Sequence, residues 1–202
     1  FSMSEPNAGS DISNISCRAK KDGDGYLISG NKYWCTFADG ADFMIIIART
    51  SEAPPGKRHL GLSMFFVEKK RGELMPGCSG SPIPKIGYFG WKTWELAFDD
   101  CRLPASALIG EEGKGFRYIL SGMNAERILI AAECIGDAKW FIHKAADYSK
   151  EREVFGRPIG QNQGIQFPIA RAYAQMRAAE LMVHQAAERF EQGLDCGEHA
   201  NM

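Results

Sequence analysis

The 202-residue sequence lacks any apolar stretch long enough to cross a membrane. A membrane-spanning helix needs about 20 consecutive apolar residues, whereas the longest apolar run, 43–48, has the length of a β-strand. The opening Phe1-Ser2-Met3 carries neither an initiator methionine nor the pattern of a signal peptide. We therefore expect no membrane partner, and we expect the sequence to begin inside a larger protein.

The sequence also has almost no excess of charge of either sign. Its 24 lysines and arginines are balanced by 25 aspartates and glutamates, which gives a formal net charge of −1. Proteins that bind nucleic acids present an excess of basic residues to the phosphate backbone, and no dense basic cluster is visible here. We expect no nucleic-acid partner. The 45% content of hydrophobic residues is that of an ordinary globular protein.

Paired cysteines are absent as well. None of the six cysteines belongs to a C-x-x-C pair, and the C-x-x-H formed by Cys196 and His199 has no second ligand pair. This spacing predicts no metal site. We expect reduced and mostly buried thiols in a reducing compartment, at Cys17, Cys35, Cys78, Cys101, Cys134 and Cys196.

What the sequence does contain divides at about Gly113. Before it, short apolar or alternating runs are separated by turns rich in glycine and proline, of which 21–25 is the strongest. Several short strands of this kind favour a small antiparallel barrel or sandwich. The runs that predict strands are 15–19, 26–28, 43–48, 62–67 and 93–98.

After Gly113 the sequence is helical in character. Residues 114–157 contain no proline and are rich in alanine, glutamate, lysine, isoleucine and leucine, which predicts a long helix over about 115–150. The stretch around Pro158 ends it, and a second helix is predicted over about 163–191. Two long helices joined by a short loop pack antiparallel.

We therefore predict an α+β protein with a β domain over 1–112 and the start of a helical bundle over 113–202. A pair of helices leaves apolar faces uncovered, so further helices are expected from segments outside this sequence or from another subunit. The helical domain is expected to be incomplete by itself.

Three polar clusters are candidates for binding. The loop 4–11 combines a proline, a glycine and two serines, and it can cradle a polar ring edge or a phosphate, or be an ordinary turn. The indole and hydroxyl within 33–36 can form a platform for a flat ring, or be a core tryptophan beside a surface threonine. The loop 152–159, with two arginines, suits an anionic group such as pyrophosphate, or is a plain helix–helix turn.

Taken together and in this order, these clusters resemble motifs of the acyl-CoA dehydrogenase family. Residues 4–11 resemble its T/S-E-P-x-A-G-S-D loop, and 30–36 resemble its G-x-K-x-W-I-T strand. Residues 113–116 are similar to the G-x-G-F stretch that begins a long helix, and 151–163 to the E-R-x-x-F-G-x-P-I-x-x-x-Q signature. The resemblance covers the family's middle β domain and the first helices of its C-terminal domain.

The resemblance implies an FAD-dependent oxidoreductase that forms an α,β double bond in an acyl-CoA and passes electrons to an electron-transfer flavoprotein. It implies fatty-acid metabolism such as β-oxidation, and a homo-oligomer, either a dimer or a tetramer. The expected location is the cytoplasm of a bacterium or the mitochondrial matrix of a eukaryote. Two alternatives stay open: an acyl-CoA oxidase or flavin monooxygenase-like protein that uses oxygen, and a non-catalytic, DNA-associated family member.

The resemblance also implies cofactor-binding residues in the β domain. Met3 and Ser4 would lie against the pyrimidine side of the flavin ring, with Ser4 bonding a ring heteroatom. Trp34 would cover part of the flavin, and Thr36 would hydrogen-bond N5.

Further residues are implied for the rest of the cofactor and for the substrate. Arg152, Phe155 and Gln163 would contact the adenine–pyrophosphate part of an FAD bound mainly by a neighbouring subunit. Phe1 would border the acyl site, and Ser10 would approach the CoA.

The predicted catalytic base is Glu126. In the implied reaction a carboxylate removes the α-proton while the β-hydride moves to flavin N5, and isovaleryl- and long-chain-type members carry this glutamate before an arginine on the first long helix. Helical spacing places Glu126 on one face with apolar neighbours such as Ile130, where a carboxylate is costly unless it is functional. Glu133 is a weaker candidate. The substrate neighbours implied with Glu126 are Met123, Asn124 and Arg127.

The sequence departs from the family pattern at three places. Asn7 stands where the family often has glycine, and Cys35 replaces a common isoleucine. Trp91 and Lys92 precede Thr93 where a small polar residue and an aspartate are usual. The last departure lies near the expected path of the CoA, so it bears on the choice of substrate.

Overall fold

A computed structural model describes all 202 residues, and the chain divides into a first unit, Phe1–Ile119, and a second unit, Leu120–Met202. The first unit is built on one seven-stranded sheet with the order β5-β6-β2-β1-β3-β4-β7. A sheet followed by helices confirms the predicted α+β class. The sheet is open and does not close into a barrel. The strands are β1 Arg18–Asp22, β2 Gly25–Thr36, β3 Phe43–Arg49, β4 Leu62–Glu68, β5 Cys78–Pro82, β6 Thr93–Pro104 and β7 Leu108–Ile109.

The pairing of the strands is antiparallel with one exception. β1 meets β3 through a parallel bridge between Arg18 and Arg49. The expectation of a wholly antiparallel sheet is therefore wrong for the pairing of β1 with β3. The first predicted run is also shifted, because Ile15 is buried ahead of the strand rather than within it. β5 was not predicted because Cys78–Pro82 contains no alternation of apolar residues and is mostly exposed.

The long strand β2 contains an irregularity that matters for the site. Between Lys32 and Cys35 its register with β6 shifts, so that Tyr33 and Trp34 lie opposite a single residue of β6. Such a bulge bends the strand and redirects the side chains that it contains. Trp34 accordingly has a left-handed backbone, with φ of 61°, which is uncommon for a residue other than glycine.

The core of the first unit lies on the inner face of the sheet. Its buried members include Ile28, Ile46, Phe65 and Leu103. Tyr26 packs edge-on against Phe65 with ring centroids 5.0 Å apart, and its hydroxyl donates to Glu112 at 3.0 Å. Burial alternates along parts of β2 and β6, as in a sheet with one solvated face, whereas β3 and β4 each contain consecutive buried residues.

The second unit contains the long helices that the sequence predicts. α1 spans Gly115–Glu151, beginning in the first unit, and α2 spans Gln163–Glu191. Between them the short strands β8 Glu153–Val154 and β9 Arg157–Pro158 form a hairpin, and α3 Gly197–Asn201 follows. No helix combines the length and apolar character that crossing a membrane requires.

Contacts between α1 and α2 run antiparallel, as predicted. Lys139 of α1 and Arg177 of α2 both form ion pairs with Glu180, while Ile128 and Ala186 share a small apolar cluster. Residues early in α1 thus meet residues late in α2. Many other apolar residues of the two helices are exposed within this chain, as expected of a helical pair that needs further helices.

The cysteines are all free thiols. Four are buried, Cys78 is half-buried and Cys134 is exposed, which confirms the expectation of mostly buried thiols. Burial raises the pKa of Cys17 to about 11 and that of Cys78 to about 12, so both thiols stay protonated at neutral pH and are poor nucleophiles.

Two glycines of α1 should respond oppositely to the same substitution. A Cβ added at Gly115 would lie 2.7 Å from the carbonyl carbon of Ser63, so Gly115→Ala should lower the free energy of unfolding by about 1–3 kcal/mol. Gly136 has no neighbouring atom of the chain within 4 Å of its added Cβ, so Gly136→Ala should raise it by about 0.5–1 kcal/mol. Denaturant unfolding of both variants measures this, and changes of the same sign would contradict the assigned packing.

Candidate active site

The segment before β1 is held between β2 and β3. The amide of Ser2 donates to the carbonyl of Ile45 at 2.7 Å, and the amide of Ile47 donates back to the carbonyl of Ser2 at 3.1 Å. On the other side, the amide of Tyr33 donates to the carbonyl of Ser4 at 2.8 Å. The predicted flavin-facing residues Met3 and Ser4 are therefore part of a segment with fixed backbone partners.

A buried ion pair fastens this segment further. The Lys32 ammonium lies 3.0 Å from Oε1 of Glu5, and their side chains are 0% and 4% exposed. The same ammonium donates to the carbonyl of Met3 at 2.9 Å. Glu5 also accepts hydrogen bonds from the amide and hydroxyl of Ser16 and from the amide of Cys17, at 2.7, 2.8 and 2.9 Å. One carboxylate thus links the loop, the approach to β1 and strand β2.

The charge state of Glu5 follows from these contacts. Burial by itself raises the pKa of a carboxyl group, but here the Lys32 ammonium and the hydrogen bonds from Ser16 and Cys17 outweigh it. The pKa of Glu5 is therefore held below its ordinary value of 4.5. The pair is charged at neutral pH, and its contribution to stability is present above that ordinary value.

The end of β2 presents an indole and a hydroxyl to solvent. Trp34 is 55% exposed despite its place in the strand, because the bulge turns it away from the core, and it meets Tyr33 edge-on at 5.0 Å. Thr36 is exposed at the last position of the strand. The amide of the next residue, Phe37, donates to the carbonyl of Lys92 at 2.8 Å, which fixes the end of the strand.

These groups suit a flat, polar-edged ring. An exposed indole supplies an apolar face, the Thr36 hydroxyl can donate or accept a hydrogen bond, and the Met3–Ser4 segment is anchored to the same strand through Tyr33. An exposed indole without a cover is unusual for a strand residue, so the arrangement fits an isoalloxazine ring. Phe1, the predicted border of the acyl site, is 55% exposed in the same segment.

A cation that the sequence interpretation missed lies beside the loop that contains Ser10. Ser10 itself is exposed. Next to it, Asp11 forms an ion pair with Arg58 at 2.8 Å, and Arg58 donates to Asn14 at 3.1 Å. A guanidinium therefore lies beside the serine predicted to approach the CoA. No local motif marks Arg58, because it is distant in sequence and enters through the loop between β3 and β4.

In the second unit, Glu126 lies on α1 among its predicted neighbours. Met123, Asn124 and Arg127 are half-buried, and Arg127 donates to Oδ1 of Asn124 at 3.4 Å. The expectation that Glu126 is embedded in an apolar stripe is not met within this chain: Glu126 is exposed and Ile130 is 50% exposed. The physical reason is that no residue of these 202 covers that side of the helix. The role of Glu126 as a base stays a prediction.

The hairpin after α1 presents the other predicted cofactor residues. Phe155 is fully exposed and has a φ of 53°, followed by Gly156 with a φ of 73°. Positive φ at both central positions is typical of a type I′ hairpin turn, which favours asparagine or glycine, so an aromatic residue here is strained. Arg152 and Gln163 are exposed on either side of the turn.

The predicted residues therefore fall into three groups. The first unit brings Phe1, Met3 and Ser4 close to the strand end that carries Trp34 and Thr36. The Glu126 group lies near the beginning of α1, and the Phe155 hairpin follows its far end, roughly 40 Å away at the helical rise per residue. Because one chain separates the last two groups so widely, they cannot contact the same part of one cofactor.

Two family profiles match nearly the whole chain. "Acyl-CoA dehydrogenase, middle domain" matches residues 1–101, and "Acyl-CoA dehydrogenase, C-terminal domain" matches residues 113–202. The first match lies within the first unit, and the second match begins shortly before the second unit and extends to its end.

Similar proteins of known name agree with these profiles. An acyl-CoA dehydrogenase of Bacillus subtilis (strain 168) is 40% identical over 203 residues, covering 100% of this chain and 52% of that protein. A mitochondrial isovaleryl-CoA dehydrogenase of Oryza sativa subsp. japonica is 38% identical, covering 96% and 46%. The structure of butyryl-CoA dehydrogenase from Megasphaera elsdenii is 34% identical with a TM-score of 0.88, covering 99% and 51%. The chain spans about half the length of the curated relatives that it matches.

The stability of the protein should fall in acid through Glu5. Because the pKa of Glu5 is lowered in the folded state, its contribution is complete above about pH 4.5 and is lost as the pH falls below that value. At neutral pH, Glu5→Gln leaves the Lys32 charge buried and should cost about 3–5 kcal/mol. Unfolding measured from pH 7 to pH 3 should show the gap between wild type and variant narrowing below pH 4.5.

The control for this prediction is Glu73→Gln. Glu73 forms an exposed ion pair with Lys70, with side chains 59% and 77% exposed, so its loss should change the free energy of unfolding by less than about 1 kcal/mol. A Glu5→Gln gap that stays constant across the pH range would contradict the assignment of a lowered pKa to Glu5.

Proposed function

Because the chain belongs to the acyl-CoA dehydrogenase family, we propose that the protein containing it is an FAD-dependent acyl-CoA dehydrogenase. The reaction would remove one proton from the α-carbon and one hydride from the β-carbon of an acyl-CoA thioester. Electrons would then pass to an electron-transfer flavoprotein. The observation that carries the proposal is the anchored pairing of the Met3–Ser4 segment with the exposed Trp34–Thr36 strand end.

FAD would be held by two parts of the chain. In the first unit, Ser4 and Thr36 would offer hydrogen bonds to the edge of the ring, while Met3 would lie against it and Trp34 would cover part of it. The bound flavin would supply the acceptor for the hydride that leaves the β-carbon. The residues of this chain would orient the ring and shield it from water.

The hairpin supports an oligomer that is necessary for function. Arg152 suits a pyrophosphate, because a guanidinium forms paired charge-assisted hydrogen bonds with phosphate oxygens. Phe155 contacts nothing in its own chain, since it is fully exposed, and its strained backbone points to a partner outside the chain. We propose that this hairpin contacts the FAD of a neighbouring subunit within a dimer or tetramer.

The chemistry of proton removal assigns a role to Glu126. An α C–H of a thioester is a weak acid, so its removal requires a positioned carboxylate with a pKa raised by a dry surrounding. Glu126 is a carboxylate with half-buried polar neighbours on both sides, and it would accept the α-proton once segments outside this chain cover it. The isovaleryl-CoA dehydrogenase name among the relatives supports a helix-borne base, as the sequence resemblance implies.

The experiment for the overall reaction uses the full-length, flavin-containing protein without oxygen. Addition of acyl-CoA thioesters of graded chain length and branching should bleach the visible flavin absorbance for the preferred substrates. An electron-transfer flavoprotein should then restore the absorbance faster than air does. Faster reoxidation by air in the product complex would favour an oxidase, and failure of every acyl-CoA to bleach a bound flavin would remove the proposal.

The role of Glu126 has its own test. Glu126→Gln keeps the shape of the side chain but removes the base, so kcat should fall by about 10²–10⁴ while FAD remains bound. Flavin absorbance and turnover, measured on the same sample, separate the two effects. Glu133→Gln, the same change one heptad further along α1, should keep its turnover. Unchanged turnover of Glu126→Gln would place the base outside this chain.

A further inference from the structure

Lys32 is among the largest fully buried side chains of the protein and is the only lysine among them. It lies on β2 between Gly30 and the bulge, where the strand directs alternate side chains into the core. A lysine at such a position is exceptional, because burying an ammonium group costs several kcal/mol that its partners must offset. The Lys32 ammonium pairs with the Glu5 carboxylate and donates to the carbonyl of Met3.

Stability alone does not account for a lysine at this position. A buried ion pair can often be replaced by apolar residues of similar size with no loss of stability, or with a gain. An apolar side chain at position 32 could fill the same volume, whether position 5 carried glutamate or an uncharged residue. It could not donate a hydrogen bond to the Met3 carbonyl, which Lys32 does at 2.9 Å.

That hydrogen bond connects the two segments that face the proposed flavin. On one side, it holds the backbone of Met3, next to Ser4. On the other side, Lys32 is separated from Trp34 by one residue, at the point where the bulge begins. The Tyr33–Ser4 backbone hydrogen bond at 2.8 Å lies immediately beside it. The lysine side chain therefore acts together with the Tyr33–Ser4 backbone hydrogen bond to fix the separation between the loop and the strand end.

We propose that Lys32 is a positioning residue for the flavin: it fixes Met3 and Ser4 against the Trp34–Thr36 strand end at the separation that the ring requires. Glu5 neutralises the ammonium and directs it, because its Oε1 accepts from both Lys32 and the Cys17 amide. The inference rests on the proposed function, since it assigns a role toward FAD. It adds a residue that does not touch the cofactor but acts through those that do.

The test compares four forms of the full-length protein: wild type, Lys32→Met, Lys32→Met combined with Glu5→Gln, and Lys70→Met. Lys32→Met removes the ammonium but keeps an unbranched side chain of similar length. The double variant removes both charges, so that no unpaired charge is buried. Lys70→Met makes the same chemical change at an exposed ion pair and serves as the matched control.

Three quantities are measured on the folded fraction of each form: the midpoint of thermal unfolding, the dissociation constant of FAD, and the visible absorption spectrum of the bound flavin. Lys32→Met should raise the dissociation constant at least tenfold and shift the flavin spectrum. The double variant should recover the unfolding midpoint but neither the affinity nor the spectrum. Lys70→Met should stay within twofold of wild type in affinity.

Each other outcome has a definite meaning. If affinity and spectrum recover together with the unfolding midpoint in the double variant, the pair acts through stability and the inference is overturned. If Lys32→Met folds with wild-type affinity and spectrum, it is overturned as well. Should Lys32→Met fail to fold, the double variant alone decides by the same two flavin readouts. Wild type that binds no FAD would instead refute the proposed function, and the positioning role with it.

Discussion

A lysine ammonium enters a protein interior only where a carboxylate and hydrogen bonds replace the water that it loses, and the first unit does this once, at Lys32 and Glu5. The carboxylate holds the backbone ahead of β1, and the ammonium holds the Met3 carbonyl. Three segments that are separate in sequence are therefore fixed by a single pair. The bulge after Lys32 and the exposed indole of Trp34 both lie within two residues of this pair along β2.

The fold was largely readable from the sequence because its elements carry strong local signals. The helices α1 and α2 match their predicted ranges. Both signals behind that prediction, the long proline-free stretch and the break at Pro158, are local features of the sequence. The strands β3 and β4 are apolar runs bounded by turns. β5 could not be predicted because its residues are small, polar and exposed, so its pairing depends on β6 rather than on its own pattern. The parallel bridge from Arg18 to Arg49 is a long-range contact that no local signal encodes.

The surface residues of the candidate site could be predicted from the sequence, but the buried ion pair that holds them in place could not. Motif resemblance pointed to Ser4, Trp34 and Thr36, which lie in exposed or half-buried positions of the first unit. Glu5 and Lys32 lie inside the same motifs, yet their pairing required the strand register that buries Lys32. The environment of Glu126 was misjudged for a related reason. Helical periodicity shows which residues share a face, but what covers that face depends on segments beyond α1 and α2.

The strained turn at Phe155 has a consequence for anyone who redesigns this protein. Asparagine or glycine would relax the backbone at that position, and nothing within the chain would be lost, because the ring is fully exposed. A selection for thermal stability of the isolated chain would therefore favour replacing Phe155, as it favours relaxing strained sites in general. Under the proposed contact with the FAD of a neighbouring subunit, the same selection would remove a residue that makes this contact. Under that proposal, the stability of the isolated chain and the assembly of the oligomer place opposite demands on the φ angle of Phe155.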